Sequence, residues 1–186
     1  MSDEAERLFE RLLVLRCQTG DEDAYRELVG RFGPRLRYFL RKLVGQIDRA
    51  DDLAQEVWID VLRQLPRLKD AGAFTTWMYR IAHNEAYSML RRKKPEDDLE
   101  TAQFDMPSMG SHMLPVETAL AVDAALQRLS DEQREAVVLK IYQGFKFEEM
   151  SEILGCPMST VKSRLYTALD LLKDTLAPAA IPRSKS

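Results

Sequence analysis

The chain has 186 residues, 45% of them hydrophobic and 31% charged, which places it among globular chains and leaves room for one domain or two small ones. A net charge of −3 excludes a protein that holds nucleic acid by bulk electrostatics, so any such binding is expected to be local or assisted. Two cysteines far apart, Cys17 and Cys156, and two histidines without ligand-like spacing, His83 and His112, indicate neither a disulfide framework nor a metal site. No cofactor is expected. The N-terminus MSDEAERLFERLL is charged and amphipathic, without a signal-peptide core, and no stretch approaches the roughly 20 apolar residues that span a bilayer, so a cytoplasmic protein without membrane insertion is expected.

In chain order the pattern is helical throughout, with glycines and prolines placed mainly between periodic segments and no sustained strand alternation. A first helix runs to about Arg16. The turn QTGDED leads into Ala24 to Val44, where Tyr25, Leu28, Val29, Phe32, Leu36, Phe39, Leu40 and Leu43 form a stripe and Gly33-Pro34 is expected to kink the helix. Asp48 is the expected cap of a third helix, about Arg49 to Leu65, with Leu53, Ala54, Val57, Trp58, Val61 and Leu65 inward. Its outer face holds Asp52, Gln55, Glu56, Ile59 and Arg63. A solvated face accounts for the carboxylates; Ile59 among them fits a partner site, an acidic patch around an apolar anchor.

Pro66 to Ala73 is a loop, followed by the aromatic and basic helix FTTWMYRIAHNEAYSMLRRKK. From Trp77 to Lys94 there are five cations, Arg80, Arg91, Arg92, Lys93 and Lys94, against one carboxylate, Glu85, a local charge of +4. Phe74, Trp77, Met78 and Ile81 form a core stripe, while Tyr79, His83 and Tyr87 repeat on another side. Aromatics beside cations suit the stacking of unpaired bases and the gripping of phosphates, and they equally suit a helix buried on two sides. Glu96 to Asp105 reverses the sign with five carboxylates and no cation. With Pro95, Pro107 and Pro115 around it, this stretch is expected to be a flexible boundary between halves that fold independently. Within it, Gly110-Ser111-His112-Met113 matches the stub left by cleavage of a common expression tag and carries no inference.

Val116 to Leu129 is amphipathic, and Ser130 with Gln133 forms a capping box for DEQREAVVLKIYQ, ended by Gly144. Glu148 to Leu154 is a short helix with Met150, Ile153 and Leu154 on one face, Gly155 as its stop and Cys156-Pro157 beyond it. Ser159 or Thr160 is expected to cap the last helix, in which Val161, Leu165, Ala168, Leu169 and Leu172 form the buried stripe. The opposite face carries Ser163, Tyr166 and Thr167, with Thr160 at the leading end and Lys162 and Arg164 to either side. Small polar groups flanked by cations suit a helix in a major groove, with hydroxyls at base edges and cations at phosphates. The pattern is that of a helix-turn-helix, though an ordinary helical hairpin with a solvated face shares it.

Three segments together, DRADDLAQEVWIDVLRQL, FTTWMYRIAHNEAYSMLRRKK and LQRLSDEQREAVVLKIYQGFKFEEMSEILGCPMSTVKSRLYTAL, resemble regions 2 and 4 of an extracytoplasmic-function sigma factor of bacterial RNA polymerase, over most of Ala24 to Leu172. The resemblance implies an all-α fold of two small helical domains: a region 2-like bundle over 1–94, an acidic linker over 95–115, a region 4-like helix-turn-helix domain over 116–176 and a tail over 177–186. It implies a transcription initiation factor and not an enzyme. Asp52, Gln55, Glu56 and Ile59 would dock on the clamp coiled coil of the polymerase β′ subunit, and the distal domain would meet the β flap. Arg80, Asn84, Arg91, Arg92, Lys93 and Lys94 would hold the strands at the minus 10 element, with the Pro66 to Ala73 loop receiving a flipped base. Thr160, Lys162, Ser163 and Arg164 would read and grip the minus 35 element. Opening each base step costs a few kcal/mol of stacking, so captured bases must offset it. An anti-sigma factor is implied as a further partner. The chain departs from the family pattern at Ser88, where an acidic residue is frequent, and at Thr167, where a second arginine often sits in the recognition helix.

Overall fold

The computed structural model describes residues 3–92 and 116–176, and every described element is helical. Four helices build the N-terminal half: α1 (Asp3–Gln18), α2 (Glu22–Val44), α3 (Ile47–Gln64) and α4 (Phe74–Arg92). Four more build the C-terminal half: α5 (Val116–Gln127), α6 (Asp131–Val137), α7 (Phe147–Leu154) and α8 (Met158–Leu176). Lys93, Lys94, the acidic linker and the tail lie outside the described residues.

Local chemistry sets most boundaries. Asp21 caps α2 by accepting from the Ala24 N–H at 2.9 Å, carboxylates occupy its first turn and cations its last, and Gly45 ends it at φ 72°. The helix continues through Pro34. The expected cap at Asp48 is not formed: α3 begins at Ile47, Gln46 holds the cap position without a side-chain hydrogen bond, and Asp48 sits in the first turn, where its charge complements the helix dipole. The loop after α3 consists of two 3-10 turns, Leu65–Arg67 and Ala71–Ala73, fastened by the Gln18 amide, which donates to the Leu65 and Leu68 carbonyls at 3.0 and 2.7 Å.

In the N-terminal half α2 is the central helix. Leu28, Phe32, Leu36, Phe39 and Leu40 are buried against α3 and α4, with Leu13 and Val14 of α1 closing one side. In the C-terminal half the Ser130–Gln133 capping box starts α6 as expected. The helix then widens into a π turn, Val138–Tyr142, in which the Gln143 N–H reaches back to the Val138 carbonyl at 3.0 Å. Met150, Ile153, Val161 and Leu165 pack α7 and α8 over it.

The two halves do not stand apart. Helix α4 packs on α7 and α2 on α6, and one continuous apolar cluster runs from Leu13 to Ala168 through both. Helix α4 is thus covered on two sides, the alternative that its aromatic stripe had left open.

Candidate nucleic-acid interface

The helix-turn-helix is built as its sequence dictates. Helix α7 ends at Gly155, whose φ of 60° and ψ of 31° lie in the left-handed region that favours glycine. The turn is tied by Ser151 Oγ donating to the Cys156 carbonyl at 2.7 Å. Neither Ser159 nor Thr160 caps the second helix: the Pro157 carbonyl already accepts from Thr160 and Val161, so both hydroxyl residues lie inside the first turn of α8. Burial of Val161, Leu165 and Ala168 fixes the roll of α8. Ser163, Tyr166 and Thr167 consequently face outward, with Thr160, Lys162 and Arg164 partly covered beside them. Lys162 Nζ stands 5.3 Å from the centroid of Phe147, and Arg164 Nη1 lies 3.8 Å from Cys156 Sγ.

On α4, Arg80, Asn84, Arg91 and Arg92 are exposed, on a helix whose other faces are committed to packing. The aromatic repeat behaves differently from the cations. Tyr79 is completely buried, edge-on to Phe39 at 5.1 Å and to Phe145 at 4.9 Å, with its hydroxyl donating to Gln143 Oε1 at 2.8 Å. His83 Nδ1 lies 2.8 Å from Glu135 Oε1, and its ring stacks obliquely on Tyr87 at 4.5 Å. Burial, and then the facing Glu135 carboxylate, push the pKa of Tyr87 far above its ordinary value. In this conformation Tyr79, His83 and Tyr87 support packing between the halves and present no open platform to a base.

Between α4 and the helix-turn-helix lies a cavity of 330 Å³. Asn84 and Arg91 line it from one side and Arg164 from the other, over His83, Tyr87 and Leu154. The structure therefore brings together residues assigned to two separate promoter elements. Asp52, Gln55, Glu56 and Ile59 form a surface of their own on α3, all four exposed and away from that cavity. Leu62, 54% exposed and one turn beyond Ile59, extends its apolar part; the i, i+3 spacing from Ile59 was the available signal. Residues that sequence patterns did not single out, Glu135 and Gln143, are buried between the halves. Among the described residues no group of three or more acidic, histidine or cysteine side chains could hold a metal, and no helix is long and apolar enough to cross a membrane.

Against known proteins, the family models for Sigma-70 region 2 and Sigma-70 region 4 match residues 28–96 and 119–172. An RNA polymerase sigma-H factor of Pseudomonas aeruginosa is 32% identical, over 89% of this chain and 93% of the relative. The chain belongs to the extracytoplasmic-function sigma factors of RNA polymerase. The ECF RNA polymerase sigma-E factor of Haemophilus influenzae is 29% identical to this sigma factor, over 94% and 98% of the two chains. Among solved structures, the sigma factor RpoE of Bartonella quintana, in complex with the anti-sigma factor NepR, matches with TM-score 0.70 and 26% identity over 82% of this chain and 96% of that one. CnrH in complex with the cytosolic domain of CnrY shares the fold at TM-score 0.69, with 22% identity over 90% and 96% of the chains.

Proposed function

We propose that this sigma factor directs core RNA polymerase to specific promoters and helps to melt them, working in the cytoplasm, and that it is held in check by an anti-sigma factor. The observation that supports this reading is the presence of three chemically distinct surfaces on one chain: an acidic face with an apolar centre on α3, a cationic edge on α4 and a polar outer face on α8. Asp52, Gln55, Glu56 and Ile59 are the polymerase dock, on the β′ clamp coiled coil, with the C-terminal half reaching the β flap. Arg80, Asn84, Arg91 and Arg92, continued by Lys93 and Lys94, hold the minus 10 strands. Thr160 and Ser163 meet base edges of the minus 35 element while Lys162 and Arg164 grip its phosphates. The regions divide as 1–94 and 116–176 about the linker. No catalytic residue is assigned.

With a net charge of −3 the free protein gains little from a phosphate backbone, whereas polymerase would hold the two cationic helices at the spacing a promoter requires. Run-off transcription with core polymerase and a promoter library tests this. Transcripts that depend on the added protein and on particular upstream sequences are expected. Tight, sequence-specific binding by the free protein together with no gain in transcription would favour an autonomous regulator instead.

A further inference from the structure

The loop over 65–73 has little apolar anchorage of its own. Leu65 is buried and Leu68 half-buried, while Pro66, Arg67, Lys69, Asp70 and Gly72 are exposed. Its two 3-10 turns are joined by extended backbone, with ψ of 114° at Leu68 and 107° at Asp70. Each turn closes on one short main-chain bond, Leu68 N–H to the Leu65 carbonyl and Ala73 N–H to the Asp70 carbonyl, both 3.1 Å. Isolated turns of this kind are weakly held. The second is reinforced locally, because Asp70 Oδ1 accepts from the Gly72 N–H at 2.8 Å. The first is reinforced from the other end of the half.

That reinforcement is Gln18, the last residue of α1. Its amide nitrogen donates to the Leu65 carbonyl at 3.0 Å and to the Leu68 carbonyl at 2.7 Å, 47 and 50 residues further along the chain. Both partners are acceptors, so only the nitrogen of the amide can face them, and both of its hydrogens are used. The helix behind it is firmly seated. Leu13, Val14 and Cys17 enter the core, and Glu6 and Glu10 pair with Arg31 of α2. Gln18 thus transfers the rigidity of the bundle to a loop that lacks it.

The loop's surroundings suit a nucleic-acid strand. Arg67 and Lys69 outnumber Asp70 among its own charges, and the exposed Arg11 of α1 lies against the second turn: a Cβ added at Gly72 would stand 3.6 Å from Arg11 Nε. The loop runs directly into α4, whose exposed edge carries Arg80, Asn84, Arg91 and Arg92. A backbone that receives a base binds better when it is ordered beforehand, since less conformational entropy is then lost on capture.

We infer that Gln18 is a positioning residue for promoter opening: by holding the Leu65 and Leu68 carbonyls it preorganises the 65–73 loop to receive an unpaired base of the minus 10 element. The inference rests on the melting role proposed above, with this loop as the receiver. Gln18 itself touches no nucleotide. Its effect therefore depends on the captured base being present, which distinguishes positioning from general support of the fold.

Holoenzyme is assembled from core polymerase and the full-length chain, as wild type, Gln18→Leu or Gln18→Glu. The leucine removes both donors at similar size, and the glutamate turns carboxylate oxygens toward the two carbonyls. The probe is each single strand of the minus 10 element from a promoter recovered by run-off transcription, intact or with an abasic nucleotide moved through every position, titrated by fluorescence anisotropy. Wild-type holoenzyme is expected to lose about tenfold in affinity when the base is removed at the captured position. Both variants are expected to bind the intact strand about tenfold more weakly than wild type, to bind that abasic strand as wild type does, and to retain wild-type helicity and affinity for core polymerase. Variants that keep the wild-type abasic penalty would overturn the inference. Equal weakening toward intact and abasic strands, or loss of helicity in both variants, would also overturn it, since Gln18 would then be structural. A transcribing wild type with no sensitive position refutes the loop as receiver and the inference with it, leaving promoter direction standing; a wild type that yields no transcript refutes the proposed function itself.

Discussion

Tyr79 offers a quantitative test of how the halves are joined. Its ring is held by Phe39 from its own half and Phe145 from the other, and its hydroxyl donates to Gln143 Oε1 at 2.8 Å. Tyr79→Phe keeps both ring contacts and deletes one buried hydrogen bond, and the acceptor still receives Arg35 Nε at 3.3 Å. The cost expected is therefore that of one hydrogen bond with no acceptor orphaned, about 1 kcal/mol. Gln143→Ala does the converse: it strands the Tyr79 hydroxyl at a position with no solvent access, and a loss of about 1–3 kcal/mol is expected. Combined, the two substitutions should cost less than their sum, with a coupling of about 1 kcal/mol. Urea unfolding of the full chain, recorded by circular dichroism, measures all four corners of the cycle. Additivity to within about 0.3 kcal/mol would show that the hydroxyl and the amide do not meet in solution and would refute the packing of α4 against the Gln143 turn.

The same geometry sets further expectations. Arg164→Ala should weaken all minus 35 sequences alike and lower the salt slope by about one, while Ser163→Ala should alter preference among sequences; gel shifts across salt and sequence read both. Asp52→Arg with Glu56→Arg should abolish co-purification with core polymerase while changing stability by about 0.5 kcal/mol or less, because Asp52 and Glu56 are both exposed. The Asp21 carboxyl is held below its usual pKa by the Ala24 N–H and then by Arg16, so its contribution is complete above the ordinary carboxylate range and is lost as pH falls below that range through the lowered pKa. Thermal unfolding of Asp21→Asn should consequently lose part of the wild-type acid dependence. Fragments 1–94 and 114–186 should each unfold cooperatively, since each holds apolar contacts of its own among its helices; a non-cooperative fragment would show that the shared core is indispensable.

Sequence patterns revealed those parts of the molecule that are local. Gly155 as a left-handed stop, the Ser130–Gln133 box and the Val161–Leu165–Ala168 stripe depend on neighbours within a few residues, where capping and periodicity act. Caps chosen among several eligible residues were less legible. Asp48, Ser159 and Thr160 each have the right chemistry, but the chain enters its helix one or more residues earlier, and the main-chain carbonyls decide. For α4 the pattern left two outcomes, and the packing of α7 against it, rather than any feature of the stripe, selected burial for Tyr79. Arg35 and Gln143 are 108 residues apart, and a polar pair at that separation leaves no periodic mark. The solvent-facing Asp52 to Ile59 surface was legible because an isolated apolar residue on a charged face contradicts the amphipathic rule.

The π turn at Val138–Tyr142 adds one residue to a helical turn, and Gln143 and Phe145 come directly after it. Deleting a single residue there would rewind the segment to α geometry and rotate the chain beyond it by roughly 100° about the helix axis, carrying the amide away from Arg35 and Tyr79. The caps of α6 and α7 and the whole of α8 lie outside that span. A one-codon insertion or deletion there would therefore change how the two halves pack on each other while leaving α8 and its outward face intact, a short evolutionary step that alters the seam between the halves without altering either surface beyond it.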